Sequence, residues 1–175
     1  AHSLRSNEIL TENPAKVVEG YTRQGSLEVT VKDLAMIAAT LANYGEQPLT
    51  GEQVVPKTVV RQVLSVMFTC GMYNAAGDWA TQVGIPAKSG VGGGIIGAVP
   101  GQLGVATFSP RLDIHGNSVR GVSLFERFSS DMGMHVMNIP TVARSAIRAN
   151  YRVGVGAETV QVIQLQGRIR FAGAE

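Results

Sequence analysis

Residues 86–101 read PAKSGVGGGIIGAVPG. The stretch begins with a Lys-Ser-Gly triplet, passes through three consecutive glycines and enters an apolar run that ends at Pro-Gly. Apolar residues resume at Leu103 and continue to Phe108, so the pattern predicts a hairpin of two buried strands. Pro-Gly favours the turn because proline presets one dihedral and glycine accepts a positive φ. A lysine, a hydroxyl and backbone amides along the lip of a strand suit the binding of an anion or an oxyanion.

Helices are predicted on both sides of this hairpin. An Asn-Pro pair, a Thr-x-x-Asp box and a proline are typical helix starts. They predict helices over residues 13–25, 30–45 and 56–67. Residues 70–74, CGMYN, break the helical periodicity and are expected to form an irregular connection. A fourth helix is predicted over 118–132, where apolar residues recur at helical spacing after a turn-forming Asp-x-x-Gly-Asn-Ser segment.

The character of the chain changes after this helix. Residues 139–157 have the composition of a basic, glycine-containing connector. Residues 160–171 alternate apolar and polar side chains, which predicts a strand, and Gln166-Gly167 is expected to form a tight turn or bulge. These shifts place a domain boundary near residues 150–158, and a second domain begins after it.

Composition limits the classes of function. The chain has 175 residues, 45% of them hydrophobic and 16% charged, with a net charge of +2. That length holds one ordinary core, or one domain and a fragment of another. The charge is too small to indicate nucleic acid or an anionic membrane as a partner. Arg144, Arg148 and Arg152 have helical spacing, and we interpret them as a solvated face.

Cysteine and histidine usage argues against a metal or disulfide framework. Cys70 is the single cysteine, so no internal disulfide or Cys-based metal site is expected. His2, His115 and His135 show no metal-ligand spacing, and no metal or cofactor is expected. No signal peptide is recognisable, and no apolar run reaches the about 20 residues of a membrane span. We therefore expect a cytoplasmic protein.

Lys88-Ser89-Gly90 matches the K-[ST]-G element of serine acyl-transferases of the β-lactamase and penicillin-binding class. In that class the lysine and hydroxyl line an edge strand beside the nucleophile. A Ser-x-x-Lys motif, which would supply the nucleophile and its base, does not occur in the sequence. The triplet is therefore either accidental or the partner of a nucleophile upstream of Ala1. The glycine run that follows is better explained by close packing of a strand than by a phosphate loop. Taken alone, Tyr21 and Tyr73 are ordinarily core aromatics with a bonded hydroxyl.

Several segments together resemble the serine-dependent glutaminases, which are β-lactamase-like enzymes that hydrolyse L-glutamine to L-glutamate and ammonia. The segments are PAKSGVGGGI at residues 86–95, FSPRLD at 108–113 and GNSVRG at 116–121, with SLEVT, AATLAN and CGMY upstream in the same order. The similarity covers roughly residues 1–140. It implies a β-lactamase and penicillin-binding-protein-like transpeptidase fold, of mixed α/β (α+β) class, in which helices flank an antiparallel sheet and of which this chain holds part.

The resemblance also implies roles for individual residues. Tyr73 corresponds to the family's proton relay and substrate contact, and the Val91 amide to an oxyanion donor that also contacts substrate. Tyr21 corresponds to a substrate ligand. Lys88 and Ser89 are expected to support the groups that touch substrate. The nucleophilic serine, its lysine and further substrate ligands are expected upstream of Ala1, so residues 1–175 alone are expected to be inactive.

The expected organisation rests on this resemblance and on a second one: residues 160–175 resemble the opening strands of a STAS domain, a small regulatory or nucleotide-sensing module. Residues 1–150 form the C-terminal part of a glutaminase domain, 151–158 a linker, and 159–175 the beginning of a STAS-like domain. L-Glutamine is the expected substrate, and a homo-oligomer is the expected state, without nucleic-acid or membrane partners. Two alternatives stay open: another serine acyl-transferase of this fold, acting on β-lactams or peptidoglycan peptides, and a non-catalytic regulatory fragment.

Overall fold

The computed structural model describes residues 1–138, 147–155 and 158–165. The chain divides into two units, one of residues 1–30 and one that begins at Val31. In the described part of the chain, the helices are all too short or too polar to cross a bilayer.

Residues 1–30 contain the helices α1 (His2–Ser6) and α2 (Pro14–Gly25). The Asn13 side chain accepts a hydrogen bond from the Ala15 amide at 2.9 Å, and proline occupies the first helical position. This satisfies one of the amides that a helix start leaves unpaired, and it confirms the predicted start and end of α2. Helix α1 was not predicted, because five residues without a side-chain cap give little periodic signal.

The second unit contains four further helices, α3 (Val31–Ala42), α4 (Lys57–Cys70), α5 (Ala76–Gln82) and α6 (Val119–Met132). Three of them lie where the sequence predicts them, and α5 was not predicted. The Ser118 hydroxyl caps α6 by accepting from the Gly121 amide at 3.1 Å. Gly133 ends α6 in the left-handed conformation, with φ +68°.

The predicted hairpin is present and gains a third strand. Strands β1 (Ala87–Ser89), β2 (Gly94–Val99) and β3 (Leu103–Phe108) form an antiparallel sheet in the order β1-β2-β3. The predicted Pro-Gly turn joins β2 to β3: the Gln102 amide donates to the Val99 carbonyl at 3.0 Å, and Gly101 has φ +70°. Strand β1 is the edge that carries the Lys-Ser-Gly triplet.

Helices pack on both faces of this sheet. On one face a Cβ at Gly104 would lie 2.0 Å from the Ala39 amide nitrogen of α3. On the other face a Cβ at Gly97 would lie 2.4 Å from a ring carbon of Phe125 on α6. Gly97 pairs with Val105 and Gly104 with Ala98, so strand alternation places these two glycines on opposite faces. The expected antiparallel sheet flanked by helices is thereby confirmed.

The apolar core lies between α5, α6 and the sheet. Phe125 is fully buried, and its ring centroid is 5.4 Å from that of Trp79. The Trp79 indole donates to the Ile85 carbonyl at 2.7 Å, so its one polar atom is paired. The core cluster comprises Met72, Ala76, Trp79, Val83, Ile85, Ala87, Ile95, Val99, Phe125 and Met134. The cluster includes Met72, which precedes Tyr73, and Ala87, which precedes Lys88, so both segments are anchored in the same core.

Strands β4 (Ile147–Val155) and β5 (Glu158–Leu165) form a separate antiparallel pair. The strand predicted from alternation is confirmed as far as Leu165, and Gln166-Gly167 lies outside the described residues. The connector expected over 139–157 is wrong for residues 147–155, because these pair with β5 over most of their length. The short-range composition of this segment did not reveal that pairing.

The arginine stripe is partly corrected by this strand. Arg148 and Arg152 lie on β4, so their spacing does not place them on one helical face. Both side chains are exposed, which agrees with the predicted solvated surface. Arg144 lies outside the described residues.

Candidate active site

Gly71 brings the two sequence motifs of the site together. It follows the last residue of α4, and a Cβ at this position would lie 1.7 Å from the Ala87 carbonyl oxygen of β1. The Ser89 amide donates to the Gly71 carbonyl at 3.0 Å. Because only glycine allows this approach of two backbones, the Cys-Gly-Met-Tyr segment runs directly against the strand that carries Lys-Ser-Gly.

Tyr73 has an unusual backbone conformation. Its φ is +54°, in the left-handed region that non-glycine residues rarely occupy. A conformation of this kind costs about 1–3 kcal/mol and persists only where the surroundings enforce it. Met72 is buried in the core, while the Tyr73 side chain is 39% exposed. The strained backbone therefore turns the chain outward and presents the phenol at the surface.

Lys88 lies beside this phenol. Its ammonium nitrogen is 4.7 Å from the centroid of the Tyr73 ring, within the range of a cation–π contact. The same ammonium donates to the Ser89 carbonyl. The sequence predicted that Tyr73 and Lys88 belong to one site, and the structure places them in contact.

Ser89 lies on the other side of strand β1. Ala87 and Ser89 are buried, whereas Lys88 between them is exposed, as alternation requires. The Ser89 hydroxyl is buried and has no hydrogen-bond partner among the described residues. The structure therefore does not bring this hydroxyl to the exposed side where Lys88 meets Tyr73, and a supporting role for Ser89 stays a prediction.

Val91 follows β1 in a tight turn. The Gly93 amide donates to the Gly90 carbonyl at 2.9 Å, and the Gly90 amide donates to the Gly94 carbonyl at 2.9 Å. The Val91 side chain is 72% exposed. Within the described residues the Val91 amide makes no hydrogen bond, so its N–H is available to an acceptor outside the chain.

The three consecutive glycines serve different purposes. Gly93 has φ +97°, and a Cβ there would lie 2.5 Å from the Ser109 carbonyl oxygen, so close packing requires it. At Gly92 a Cβ would meet nothing within 4 Å. At Gly94 it would make an ordinary contact, 3.7 Å from a methyl of Leu34. The predicted close packing of the run is thus confirmed at Gly93, while Gly92 leaves open space beside Val91.

Tyr21 belongs to the other unit. It lies on α2, and its side chain is 78% exposed. Its expected part in substrate binding stays a prediction.

The turn over residues 113–117 contains candidate site residues that no sequence pattern assigned to the site. The side-chain amide of Asn117, only 1% exposed, donates to the Met72 carbonyl at 3.3 Å. A Cβ at Gly116 would lie 3.8 Å from the Tyr73 ring. The Asp-x-x-Gly-Asn pattern signals a turn, but it carries no sign of a partner 45 residues away.

The pKa of one carboxyl group on α6 is shifted by contacts within that helix. Hydrogen bonds from the Ser130 hydroxyl and then from Arg127 hold the pKa of Asp131 below its ordinary value. The Asp131 side chain is exposed, so solvent screens these contacts and they add little to stability.

Comparison with known proteins identifies relatives for most of the chain. The family model described as Glutaminase matches residues 1–137. A glutaminase of Corynebacterium efficiens is 51% identical over all of this chain and 40% of its own length. A glutaminase of Corynebacterium glutamicum is 47% identical over all of this chain and 41% of its own length. The chain thus spans about two fifths of these curated relatives.

Solved structures give the same result. A crystal structure of Mglu in its glutamate form is 48% identical, with a TM-score of 0.75 over 99% of this chain and 39% of that one. The covalent complex of the Bacillus subtilis glutaminase YbgJ with 5-oxo-L-norleucine is 36% identical, with a TM-score of 0.74 over 77% of this chain and 49% of that one. These neighbours have the β-lactamase-like fold, and this confirms the fold class expected from the sequence.

Proposed function

The chain belongs to the glutaminase family, and from that premise we propose that it is the C-terminal part of an enzyme that hydrolyses L-glutamine to L-glutamate and ammonia. The observation that carries the proposal is the contact of Lys88 with Tyr73, with the ammonium 4.7 Å from the ring centroid. Two solved relatives support the substrate: one structure is a glutamate form and another a covalent complex formed with 6-diazo-5-oxo-L-norleucine. Glutamate has the five-carbon skeleton of glutamine, and 6-diazo-5-oxo-L-norleucine carries a diazo-substituted carbon in place of the amide nitrogen.

The proposed reaction is a serine acyl transfer. A serine outside this chain attacks the carboxamide carbon of glutamine, and the carbonyl oxygen becomes an oxyanion. The Val91 N–H, which makes no hydrogen bond within the described residues, stabilises that charge as it develops. The serine proton passes through the Tyr73 hydroxyl to the leaving nitrogen, which departs as ammonia. Water then attacks the acyl ester, releasing glutamate and restoring the serine.

Lys88 supplies positive charge at the same place. Its ammonium faces the Tyr73 ring, where it favours negative charge on a bound substrate. The site therefore combines a proton carrier, a cation and a backbone donor on one exposed edge of the sheet. We propose Tyr21 as a further substrate ligand on the family resemblance alone.

The first test is glutamine hydrolysis by the full-length protein and by its Tyr73→Phe variant. We expect ammonia release from L-glutamine, and a fall in kcat of roughly 10²- to 10⁴-fold in the variant, because a proton carrier contributes that much. Tyr44→Phe is the matched control: Tyr44 also has a positive φ, +55°, and an exposed ring, but it lies after α3. Near-normal turnover by Tyr73→Phe would remove this residue from the mechanism. If the wild-type protein is acylated by β-lactams and does not hydrolyse glutamine, the proposal that glutamine is its substrate is refuted.

The domain organisation is also a proposal. The family match ends at residue 137, and β4 pairs with β5 from Ile147 to Leu165. A boundary within this pair would separate hydrogen-bonded strands, so we place the boundary between residues 137 and 147 rather than at 151–158. The STAS-like assignment of residues 159–175 rests on strand alternation. Limited proteolysis of the full-length protein, with the fragments identified by mass spectrometry, tests where the boundary lies.

The cytoplasmic location and the homo-oligomeric state remain proposals that rest on cysteine usage and on the family resemblance. Cell fractionation tests the first, and sedimentation of the full-length protein tests the second.

A further inference from the structure

The strained conformation of Tyr73 needs a support, and the 113–117 turn supplies one. The Asn117 side-chain amide donates to the carbonyl of Met72 at 3.3 Å. That carbonyl belongs to the peptide bond that joins Met72 to Tyr73. The orientation of this peptide is set by the ψ of Met72 and the φ of Tyr73, so a donor fixed on its oxygen restrains the φ of +54°.

Asn117 is itself held firmly. Its backbone amide donates to an Asp113 carboxylate oxygen at 2.9 Å, and its carbonyl accepts from the Asp113 amide at 2.8 Å. The same carboxylate oxygen accepts from the His115 amide at 2.8 Å. These bonds close the turn on itself, and Ser118 then caps α6. The Asn117 side chain therefore extends from a rigid base.

The turn also lies near the phenol ring. Gly116 has φ +88°, and a Cβ added there would lie 3.8 Å from two carbons of the Tyr73 ring. Gly116 lies next to Asn117 in the chain, so the turn that binds the Met72 carbonyl also passes near the ring of the tyrosine. Lys88 contacts this ring directly, with its ammonium 4.7 Å from the ring centroid.

Packing alone does not explain the buried side-chain amide of Asn117, because it is less stabilising there than an apolar side chain. Its Oδ1 atom is buried without a hydrogen-bond partner among the described residues, and such an atom costs stability that an apolar side chain would not. A polar residue at this position is explained if its N–H groups have a task. The task visible in the structure is the bond to Met72.

We propose that Asn117 is a positioning residue for Tyr73: it holds the Met72–Tyr73 peptide and thereby aims the phenol at Lys88 and at the reacting amide. The catalytic consequence rests on the proposed glutaminase function. The geometric consequence, a change in the surroundings of the Tyr73 ring when Asn117 is replaced, does not.

The test uses the Asn117→Leu variant of the full-length protein. Leucine has nearly the same volume but lacks the donor, and it also removes the unpaired Oδ1. We therefore expect a thermal midpoint within about 5 °C of wild type, with kcat reduced on the order of 10- to 100-fold, as misplacement of a catalytic group produces. KM for glutamine should change far less than kcat. In a Tyr73→Phe background the same replacement should cause no further loss, because its effect passes through the tyrosine.

The matched control is Ser118→Ala. Ser118 is buried next to Asn117 and caps α6, but it has no part in the proposed chemistry. Its loss should lower the thermal midpoint and leave the kcat of the folded enzyme unchanged. Asn117→Leu overturns the proposal if it behaves like wild type in kcat, or if its loss adds fully to that of Tyr73→Phe.

A spectroscopic readout separates this proposal from the proposed function. In full-length protein labelled with ¹³Cζ-tyrosine, the Tyr73 signal is identified by its absence in Tyr73→Phe. We expect Asn117→Leu to shift this signal and Ser118→Ala to leave it in place. An unmoved signal in Asn117→Leu refutes the positioning role whether or not the protein hydrolyses glutamine. If the wild type does not hydrolyse glutamine but Asn117→Leu still shifts the signal, the proposed function is refuted and the positioning role stands.

Discussion

Tyr44 and Tyr73 have nearly the same backbone angle but different reasons for it. Their φ values are +55° and +54°. Tyr44 comes just after α3 and is followed by Gly45 with φ +89°, a place where helices commonly end in the left-handed conformation. Tyr73 opens a short 3₁₀ turn, Tyr73–Ala75, where no helix end accounts for the angle. Its strain is explained by the hydrogen bond from Asn117 to the Met72 carbonyl and by the contact of Lys88 with the ring.

At the residue scale, the role of the Val91 amide can be tested by removing its hydrogen. In the turn closed by the bond from the Gly93 amide to the Gly90 carbonyl, Val91 is the second residue, the position that favours proline. Val91→Pro should therefore keep the turn and lose the N–H. We expect kcat for glutamine in the full-length protein to fall by about 10²- to 10³-fold, the effect of losing one oxyanion donor.

Val91→Ala serves as the control because it shortens an exposed side chain and keeps the amide. It should retain kcat within about threefold, as surface changes away from a reacting group usually do. If the proline variant keeps the same near-wild-type kcat as the alanine variant, the Val91 N–H is excluded as an oxyanion donor. If kcat falls equally in both variants, the effect belongs to the side chain.

At the scale of elements, two glycines decide how closely α4, α6 and the sheet approach. A Cβ at Gly71 would lie 1.7 Å from the Ala87 carbonyl oxygen and 2.4 Å from that of Met67, both of them backbone atoms. A Cβ at Gly97 would lie 2.4 Å from the Phe125 ring, which is fully buried and has little room to move. A Cβ at Gly71 could be accommodated only by moving the backbone of β1. A Cβ at Gly97 would displace only the side chain of Phe125.

We therefore predict that Gly71→Ala lowers the free energy of unfolding by about 3 kcal/mol or more, and Gly97→Ala by about 1–3 kcal/mol, the usual cost of overpacking. Gly71→Ala should also lower kcat, because it separates Tyr73 from Lys88. Gly20→Ala is the control: it is on α2, a Cβ there meets nothing within 4 Å, and alanine should stabilise the helix by about 0.5–1 kcal/mol. Denaturant unfolding of the full-length variants measures all three. Equal stabilities of Gly71→Ala and wild type would contradict the close approach.

The sequence predicted the elements whose signals are local. Helices α2, α3, α4 and α6 show apolar periodicity within their own residues, and α2 and α6 also begin with a capping side chain, Asn13 and Ser118. The Pro-Gly turn fixes the hairpin of β2 and β3. Strand β1 has three residues, and its existence depends on pairing with β2. Strand β4 looked like a connector because its pairing with β5 is not written in its composition.

The site divides in the same way. The family resemblance predicted that Tyr73 and Lys88 belong to one site. Sequence spacing could not predict it, because the two residues are far apart in the sequence and form no motif. Asn117 was read as a turn residue, which it is. Its second task depends on a contact with Met72 that only the packed structure reveals. Buried polar contacts between distant segments are the part of a site that local patterns do not encode.

At the scale of the whole molecule, the chain contains one side of the proposed chemistry. It spans 40% of the length of one curated glutaminase and 41% of another. In the proposed mechanism Tyr73, Lys88 and Val91 act as a proton carrier, a cation and a donor, but each of these would act on a covalent step that begins with a nucleophile. A Ser-x-x-Lys pair is absent from the sequence.

We therefore predict that purified residues 1–175 do not release ammonia from L-glutamine, whereas the full-length protein does. An oxyanion donor and a proton carrier stabilise a tetrahedral intermediate, and without an attacking serine that intermediate does not form. A coupled glutamate assay measures both preparations, with circular dichroism to establish that the shorter chain is helical. Ammonia release from residues 1–175 that disappears in Tyr73→Phe would contradict the prediction, because it would require a nucleophile among these residues. Activity that survives Tyr73→Phe unchanged would indicate a contaminating enzyme, and repeating the assay after a second purification step decides that point.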